Sequence, residues 1–228
     1  MKDTFPLKSE PLKGKHLLIN AGPTRENIDP VRFISNHSTG KMGVAIANAA
    51  AAYGAHVTLV LGPVNQLTVS PAIEVIKVIS AAEMAKECLS RFPECDIAIL
   101  AAAVADYTPE KVADAKIKKS DDELVIRLIP TADIASEMGK IKKPDQLLVG
   151  FALETDNEIR NAAGKLQSKH LDLIILNSLR DEGAGFGYDT NRITMIDRNN
   201  NIDKFELKSK EEVAQDILKK IIKLIQKS

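Results

Sequence analysis

The chain has 228 residues, of which 44% are hydrophobic and 27% charged, with 31 Lys and Arg against 31 Asp and Glu. That length buries a full core, as one large domain or two small ones. Zero formal net charge excludes a global pull toward nucleic acid or an anionic membrane, so any anion site has to come from local clustering. No apolar run approaches the ~18 residues of a membrane span, and the N-terminus lacks a signal-peptide core. Cys88 and Cys95 match no metal-ligand or C-x-x-C spacing. Such sparse cysteine fits a reducing cytoplasm, with both thiols as small buried side chains.

Met1 to Lys15 carries Pro6, Pro11 and four lysines without periodicity. It reads as a leader or linker over residues 1–14, with one domain over 15–228. His16 to Ala21 (HLLINA) reads as a strand, followed by a long loop from Gly22 to Thr39. Connections of this kind usually have about two to six residues. A helix is expected from Gly40 to Tyr53, stopped at Gly54. It puts Gly43, Ala47, Ala50 and Ala51 on one small-residue face. His56 to Leu61 reads as a buried parallel strand, Ile73 to Ile79 as a third strand, Ala81 to Arg91 as a helix, and Asp96 to Ala102 as a further strand. This alternation predicts a Rossmann-like, doubly wound, mostly parallel α/β sheet.

The pattern then changes. Thr108 to Asp122 is polar and carries Lys111, Lys116, Lys118 and Lys119, which suggests an extended arm. A strand is expected at Glu123 to Leu128, then a short helix from Ala132 to Gly139 capped by Thr131. Leu147 to Leu153 and Leu171 to Asn177 read as core strands flanking a helix at Asp156 to Lys169. A Gly-containing loop follows from Ser178 to Asp189. Arg192 to Asp197 and Lys204 to Leu207 read as a small added β region turning at Asn199 to Asn201. The last helix, Ser209 to Gln226, aligns Val213, Ile217, Ile221 and Ile225 on one face.

The long loop fails two phosphate fingerprints. Gly22 is followed by Pro and Thr, so there is no dinucleotide motif, and Ser35 and Met42 occupy positions where a P-loop needs Gly and Ser or Thr. What survives is a helix start at Ser38, Thr39 and Gly40, where free backbone N–H groups and the helix dipole favour an anion; ordinary capping is the alternative. Asn36 has turn or capping chemistry as its plain role. Arg25 and Arg32 are either solvated, paired with Glu26 or Asp29, or available to a carboxylate or phosphate. Asp106 sits past the carboxyl end of a core strand, suited to a ribose, a metal or a simple turn. Lys165 and Lys169 share a helix face that is ordinarily solvated. The four histidines have no ligand-like spacing, and no metal ligands are identified. These features alone support an α/β enzyme of nucleotides or phosphorylated ligands.

Taken together, AGPTRENIDPVRFISNHSTGKMG, AAAVADY, KIKK, ADIA, VGFALET and K-x-x-x-K before LDLIILN, in that order, resemble the phosphopantothenoylcysteine synthetase family of coenzyme A biosynthesis, from about Lys15 to the C-terminus. The resemblance implies a homodimer that joins 4′-phosphopantothenate to L-cysteine with CTP and Mg2+ through an acyl-cytidylate. It implies a catalytic Asn36 whose side-chain amide holds the intermediate's carbonyl, and a catalytic, nucleotide-binding Lys116. The implied CTP contacts are Leu100, Ala101, Ala102, Asp106, Ala132, Asp133, Ile134, Ala135, Phe151, Lys165 and Lys169. Arg32, Ser38, Thr39 and Gly40 form the implied substrate loop. Ala132 departs from the proline usual in the family's turn. Relatives often carry a flavin-dependent decarboxylase ahead of this region, so association with such an enzyme is expected but FMN in this chain is not. Two other readings stay open: a nicotinamide-dependent reductase, against which the missing glycine fingerprint counts, and a noncatalytic nucleotide-binding module.

Overall fold

The computed structural model describes residues 10–65, 68–119, 123–154, 156–178 and 187–226. In chain order these form β1 (His16–Ala21), β2 (Arg25–Asn27), β3 (Phe33–Ser35), α1 (Lys41–Ala52), β4 (His56–Leu61), β5 (Glu74–Lys77) and α2 (Ala81–Arg91). Next come β6 (Ile97–Leu100), β7 (Tyr107–Pro109), β8 (Leu128–Pro130), α3 (Ile134–Ile141), β9 (Leu147–Glu154), α4 (Glu158–Ser168) and β10 (Leu173–Ser178). The chain finishes with β11 (Thr190–Asn191), β12 (Ile193–Asp197), β13 (Ile202–Lys204), β14 (Lys208–Ser209) and α5 (Lys210–Ile225).

The main sheet runs β13-β12-β10-β9-β6-β1-β4-β5. Its six strands from β10 to β5 are parallel, and β12 and β13 add to one edge antiparallel. The inner parallel strands are apolar along most of their length because both faces are covered, while the edge strand β5 (EVIK) is largely exposed. Val44, Ile46 and Ala47 of α1 and Val213, Ile217 and Ile221 of α5 pack on one face. Met84 and Cys88 of α2, Met138 of α3 and Leu166 of α4 pack on the other. Strand order reverses between β1 and β6. Chain direction diverges on either side of that point, leaving a crevice beyond the carboxyl ends of the strands.

Several sequence expectations need correction. The packed body begins before Lys15: Leu12 is fully buried and donates its amide to Tyr53 O at 3.0 Å, beneath the end of α1. The loop from Gly22 to Thr39 contains a hairpin, β2–β3, with Arg25 opposite Ser35. The strand expected at Glu123 to Leu128 lies instead at Leu128–Pro130, where Tyr107–Pro109 offers backbone partners. Helix α3 starts at Ile134 because the Asp133 carboxylate, not Thr131, accepts the Ser136 amide at 3.0 Å. The edge strand expected from Lys204 ends there instead, since the tight turn after Asp197 returns the chain at Ile202. Most of the expected loop from Ser178 to Asp189 lies outside the described residues.

Candidate functional site

The crevice past β1, β6 and β9 holds two cavities. The first, about 340 Å³, is lined by ten of the residues expected around a nucleotide: Leu100, Ala102, Asp106, Ala132, Asp133, Ile134, Ala135, Phe151, Lys165 and Lys169. The second, about 280 Å³, is lined by Asn36, Ser38, Thr39 and Gly40, and also by Ala101, Lys41, Asn177, Asn191 and Lys210. Ala102, Ala103, Asp106 and Phe151 border both. The two cavities therefore meet at a seam formed by the turn after β6 and by the middle of β9. Lys116 lines neither cavity and is exposed on its arm.

Buried polar side chains shape that turn. Asn20, 2% exposed at the end of β1, accepts the Ala102 amide at 2.9 Å. Thr24 accepts the Ala105 amide at 3.0 Å, and Thr131 donates to Ala105 O at 2.6 Å. A buried amide left without a partner costs about 1–3 kcal/mol, so these side chains fix the Ala101–Asp106 backbone. From sequence, Thr131 was expected only as a helix cap, and Asn20 and Thr24 were not singled out. A lone polar residue inside the apolar run HLLINA was the available signal for Asn20.

Asn36 stands at the seam. Its Nδ2 donates to Ala103 O at 2.9 Å and to Val104 O at 3.1 Å. Both partners are carbonyls and can only accept, so the orientation of the amide is set by chemistry. Both N–H groups are spent on the turn, and Oδ1 has no partner among the described residues. With the N–H groups engaged on the turn, the group of Asn36 that has no partner among the described residues is an acceptor.

The helix start is suited to an anion. Gly40 caps α1 in the left-handed region, at φ 76°, where an L side chain is strained. No side chain caps the helix and no acid stands in its first turn. Gly43 allows close approach to β1: a Cβ there would stand 2.5 Å from Ala21 Cβ. Two lysines reach the same cavity. Lys41 pairs with Asp189 at 2.5 Å, and Lys210, 5% exposed, donates to Tyr188 O. Burial, and then the neighbouring Lys41 charge, push the Lys210 ammonium below its ordinary pKa. A dianionic group would relieve that repulsion.

In the first cavity the lysines hold carboxylates. Lys169 meets Asp133 at 2.8 Å, and Lys165 meets Glu154 at 2.6 Å. Partial burial pushes the Asp133 carboxyl up, but Lys169 and the Ser136 amide together outweigh it and hold it below the ordinary value. Arg32 lines neither cavity. Its guanidinium pairs with Asp29 and reaches Ile117 O at 3.0 Å. That grip, with the Ala113 amide on Ile28 O at 3.0 Å, docks the arm as far as Ile117. Cys88 and Cys95 are buried and free, each pushed up to about 12 mainly by burial, and neither lines a cavity described above.

A parallel sheet in 3-2-1-4-5-6 order, with two cavities meeting at its switch point, defines a Rossmann-like fold with its ligand crevice where such folds carry one. Residues 12–225 match the DNA/pantothenate metabolism flavoprotein C-terminal domain, and the chain belongs to that family. It is 48% identical over 216 residues to the coenzyme A biosynthesis bifunctional protein CoaBC of Bacillus subtilis, covering 95% of this chain and 53% of that protein. It is 64% identical over 219 residues to a prokaryotic protein named cysteine/cysteine sulfinic acid decarboxylase, covering 96% of this chain and 61% of that one. The chain thus spans little more than half the length of these relatives. Among solved structures it resembles the C-terminal domain of a coenzyme A biosynthesis bifunctional protein CoaBC, with a TM-score of 0.83, 39% identity, 96% of this chain and 100% of that one.

Proposed function

We propose that this chain is a CTP-dependent phosphopantothenate–cysteine ligase. The observation that carries the reading is the seam: a nucleotide-shaped set of residues and an anion-holding helix start open onto one another beside Asn36. CTP fits the first cavity, with its phosphates toward Asp106, Lys165 and Lys169. Phosphopantothenate fits the second, its phosphate at the α1 start with Lys41 and Lys210 and its carboxylate at the seam. The decarboxylase activity in one relative's name is stated of a longer protein and is not the reading proposed for this chain.

The substrate carboxylate oxygen attacks the α-phosphorus of CTP. A P–O bond forms, the bond to the β-phosphate oxygen breaks, and pyrophosphate leaves. Lys165 and Lys169 exchange their carboxylate partners for phosphate oxygens, so positive charge is already in place as negative charge shifts to the leaving group. The cysteine amine then attacks the acyl carbon, a C–N bond forms, CMP leaves, and the amine proton passes to solvent. Asn36 Oδ1 accepts an N–H of that amine and aims its lone pair at the carbonyl, while the Asn36 N–H groups hold the turn. Among the described residues no cluster of three or more His, Cys, Asp or Glu could hold a metal. Mg2+ commonly takes only one or two carboxylates plus substrate phosphates, so the residues present fit an ion arriving with the nucleotide. Asp106, bordering both cavities, would hold such an ion, which would offset phosphate charge. A second copy of the chain fits the exposed apolar side chains of Val31, Phe33 and Tyr107, on the adjacent β2–β3 and β7–β8 pairs.

The test supplies phosphopantothenate, Mg2+ and each nucleoside triphosphate in turn, with and without cysteine, and follows pyrophosphate and the nucleoside monophosphate. CTP-dependent pyrophosphate release, completed to CMP release by cysteine, is expected. Absence of CTP-dependent pyrophosphate under every condition defeats the reading, and nucleotide binding without turnover favours a noncatalytic module.

A further inference from the structure

Asp29 lies at the turn between β2 and β3 and is 1% exposed. Its two oxygens have separate duties. Oδ1 accepts the amides of Val31 and Arg32, each at 2.8 Å, and so closes the local turn. Oδ2 accepts Arg32 Nε at 3.0 Å and Nη2 at 2.5 Å, and also the amide of Ile117, 88 residues away, at 3.1 Å. The same Arg32 Nη2 donates to Ile117 O at 3.0 Å. One ion pair thereby holds both backbone polar groups of Ile117. A turn of this kind needs only a side-chain oxygen, which Asn or Ser also supplies. The second carboxylate oxygen serves the arm.

Ile117 is the residue between Lys116 and Lys118. A fixed peptide at Ile117 fixes the Lys116 Cα to within about 3.8 Å of it. The long, flexible lysine side chain otherwise has little to place it, since no partner of Lys116 is found among the described residues. Holding that backbone removes the backbone freedom of Lys116 before the nucleotide arrives, leaving only the side chain to be ordered.

We propose that Asp29, acting with Arg32 through Ile117, is a positioning residue that sets where Lys116, the nucleotide-binding lysine that the family resemblance implies, stands for the step that releases pyrophosphate; this rests on the ligase reading above. Asp29→Asn is a selective probe. Its remaining oxygen keeps the turn, while an NH2 group replaces the acceptor that Arg32 and Ile117 use. Pyrophosphate release in the first turnover falls at least tenfold at saturating CTP. Aminolysis of acyl-cytidylate supplied ready-made changes less than threefold. Hydrogen exchange at the Ile117 amide loses its protection, while the Val31 and Arg32 amides keep theirs. Ile117→Pro, which removes the same hydrogen bond from the arm side, reproduces the split, and the double variant loses little more than either single one. Equal loss in both half-reactions, undiminished Ile117 protection, or lost protection with unchanged pyrophosphate release each overturns the proposal. A wild-type protein that releases no pyrophosphate defeats the ligase reading and the role of Lys116 with it. In that case Ile117 exchange still reports whether Asp29 holds the arm.

Discussion

Gly43→Ala tests whether the close approach of α1 to β1 sets the substrate site. A Cβ at this position would stand 2.5 Å from Ala21 Cβ and 3.2 Å from both Ala21 Cα and Asn20 O. Carbon atoms in contact prefer about 3.5–4.0 Å, so roughly 1 Å has to be found. β1 cannot supply it, being paired to β4 on one side and β6 on the other. The start of α1 moves instead, and with it Lys41 and Met42, which line the second cavity. Overpacking of this kind costs about 1–3 kcal/mol, against about 1 kcal/mol gained from the better helix propensity of Ala. The net expectation is a loss of up to about 2 kcal/mol in urea unfolding, with a fall in the ligation rate of about 100-fold, since a shift of about 1 Å in the phosphate seat carries through the substrate to its carboxylate at the seam. Gly164→Ala is the control: its Cβ meets nothing within 4 Å, on the exposed face of α4. It gains about 1 kcal/mol and keeps activity. If Gly43→Ala behaves like Gly164→Ala, the reasoning about the close approach is wrong.

Three further outcomes follow from the site and the sheet edge. Asn36→Asp keeps an acceptor oxygen but puts a carboxylate where the Ala103 and Val104 carbonyls need a donor, so the turn bordering both cavities shifts and pyrophosphate release and the cysteine adduct each fall at least tenfold; unchanged pyrophosphate release contradicts the turn-holding role given to the Asn36 N–H groups. Lys169→Gln raises the Kd for CTP at least tenfold by calorimetric titration. It moves thermal stability little, because half-exposed ion pairs contribute about 0–1 kcal/mol; an unchanged Kd removes Lys169 from the nucleotide site. Asp197, 3% exposed, tests the acid limb. Burial pushes its carboxyl up, but Lys220 and Asn201, with the amides of Asn199 and Asn201, hold it below the ordinary value. A lowered folded pKa stabilises above the unfolded value of about 3.9 and loses that contribution as pH falls through the folded one. Asp197→Asn therefore lowers the urea midpoint most at pH 6–7, and the gap to wild type narrows below about pH 4; a gap constant with pH contradicts the assignment.

The central sheet was legible because each parallel strand carries its own apolar run, and His16–Ala21, His56–Leu61 and Ala81–Arg91 emerged with the expected bounds. The small strands were not. β2, β3, β7 and β8 have three residues each, too few to show alternation, and two of them end in Pro109 and Pro130. Their pairing depends on partners the sequence does not place side by side. Ten residues that the family resemblance groups together line one cavity, since their motifs fall at the ends of adjacent strands. Lys116 was readable as a motif but not as a position. Its place depends on Asp29 and Arg32, a turn and a long-range ion pair with no local periodicity. Lys210 was hidden as the first residue of an amphipathic helix with three further lysines and no local signal to separate it from them.

Oxygen transfer from the acyl substrate gives the most direct test of an acyl-cytidylate. Phosphopantothenate labelled with 18O in its carboxylate is turned over with CTP, Mg2+ and cysteine, and the products are weighed by mass spectrometry. One 18O in the phosphate of CMP is the predicted result, because the carboxylate oxygen stays on the α-phosphorus when cysteine cleaves the acyl bond. Unlabelled CMP, with the label in pyrophosphate or inorganic phosphate, would contradict it.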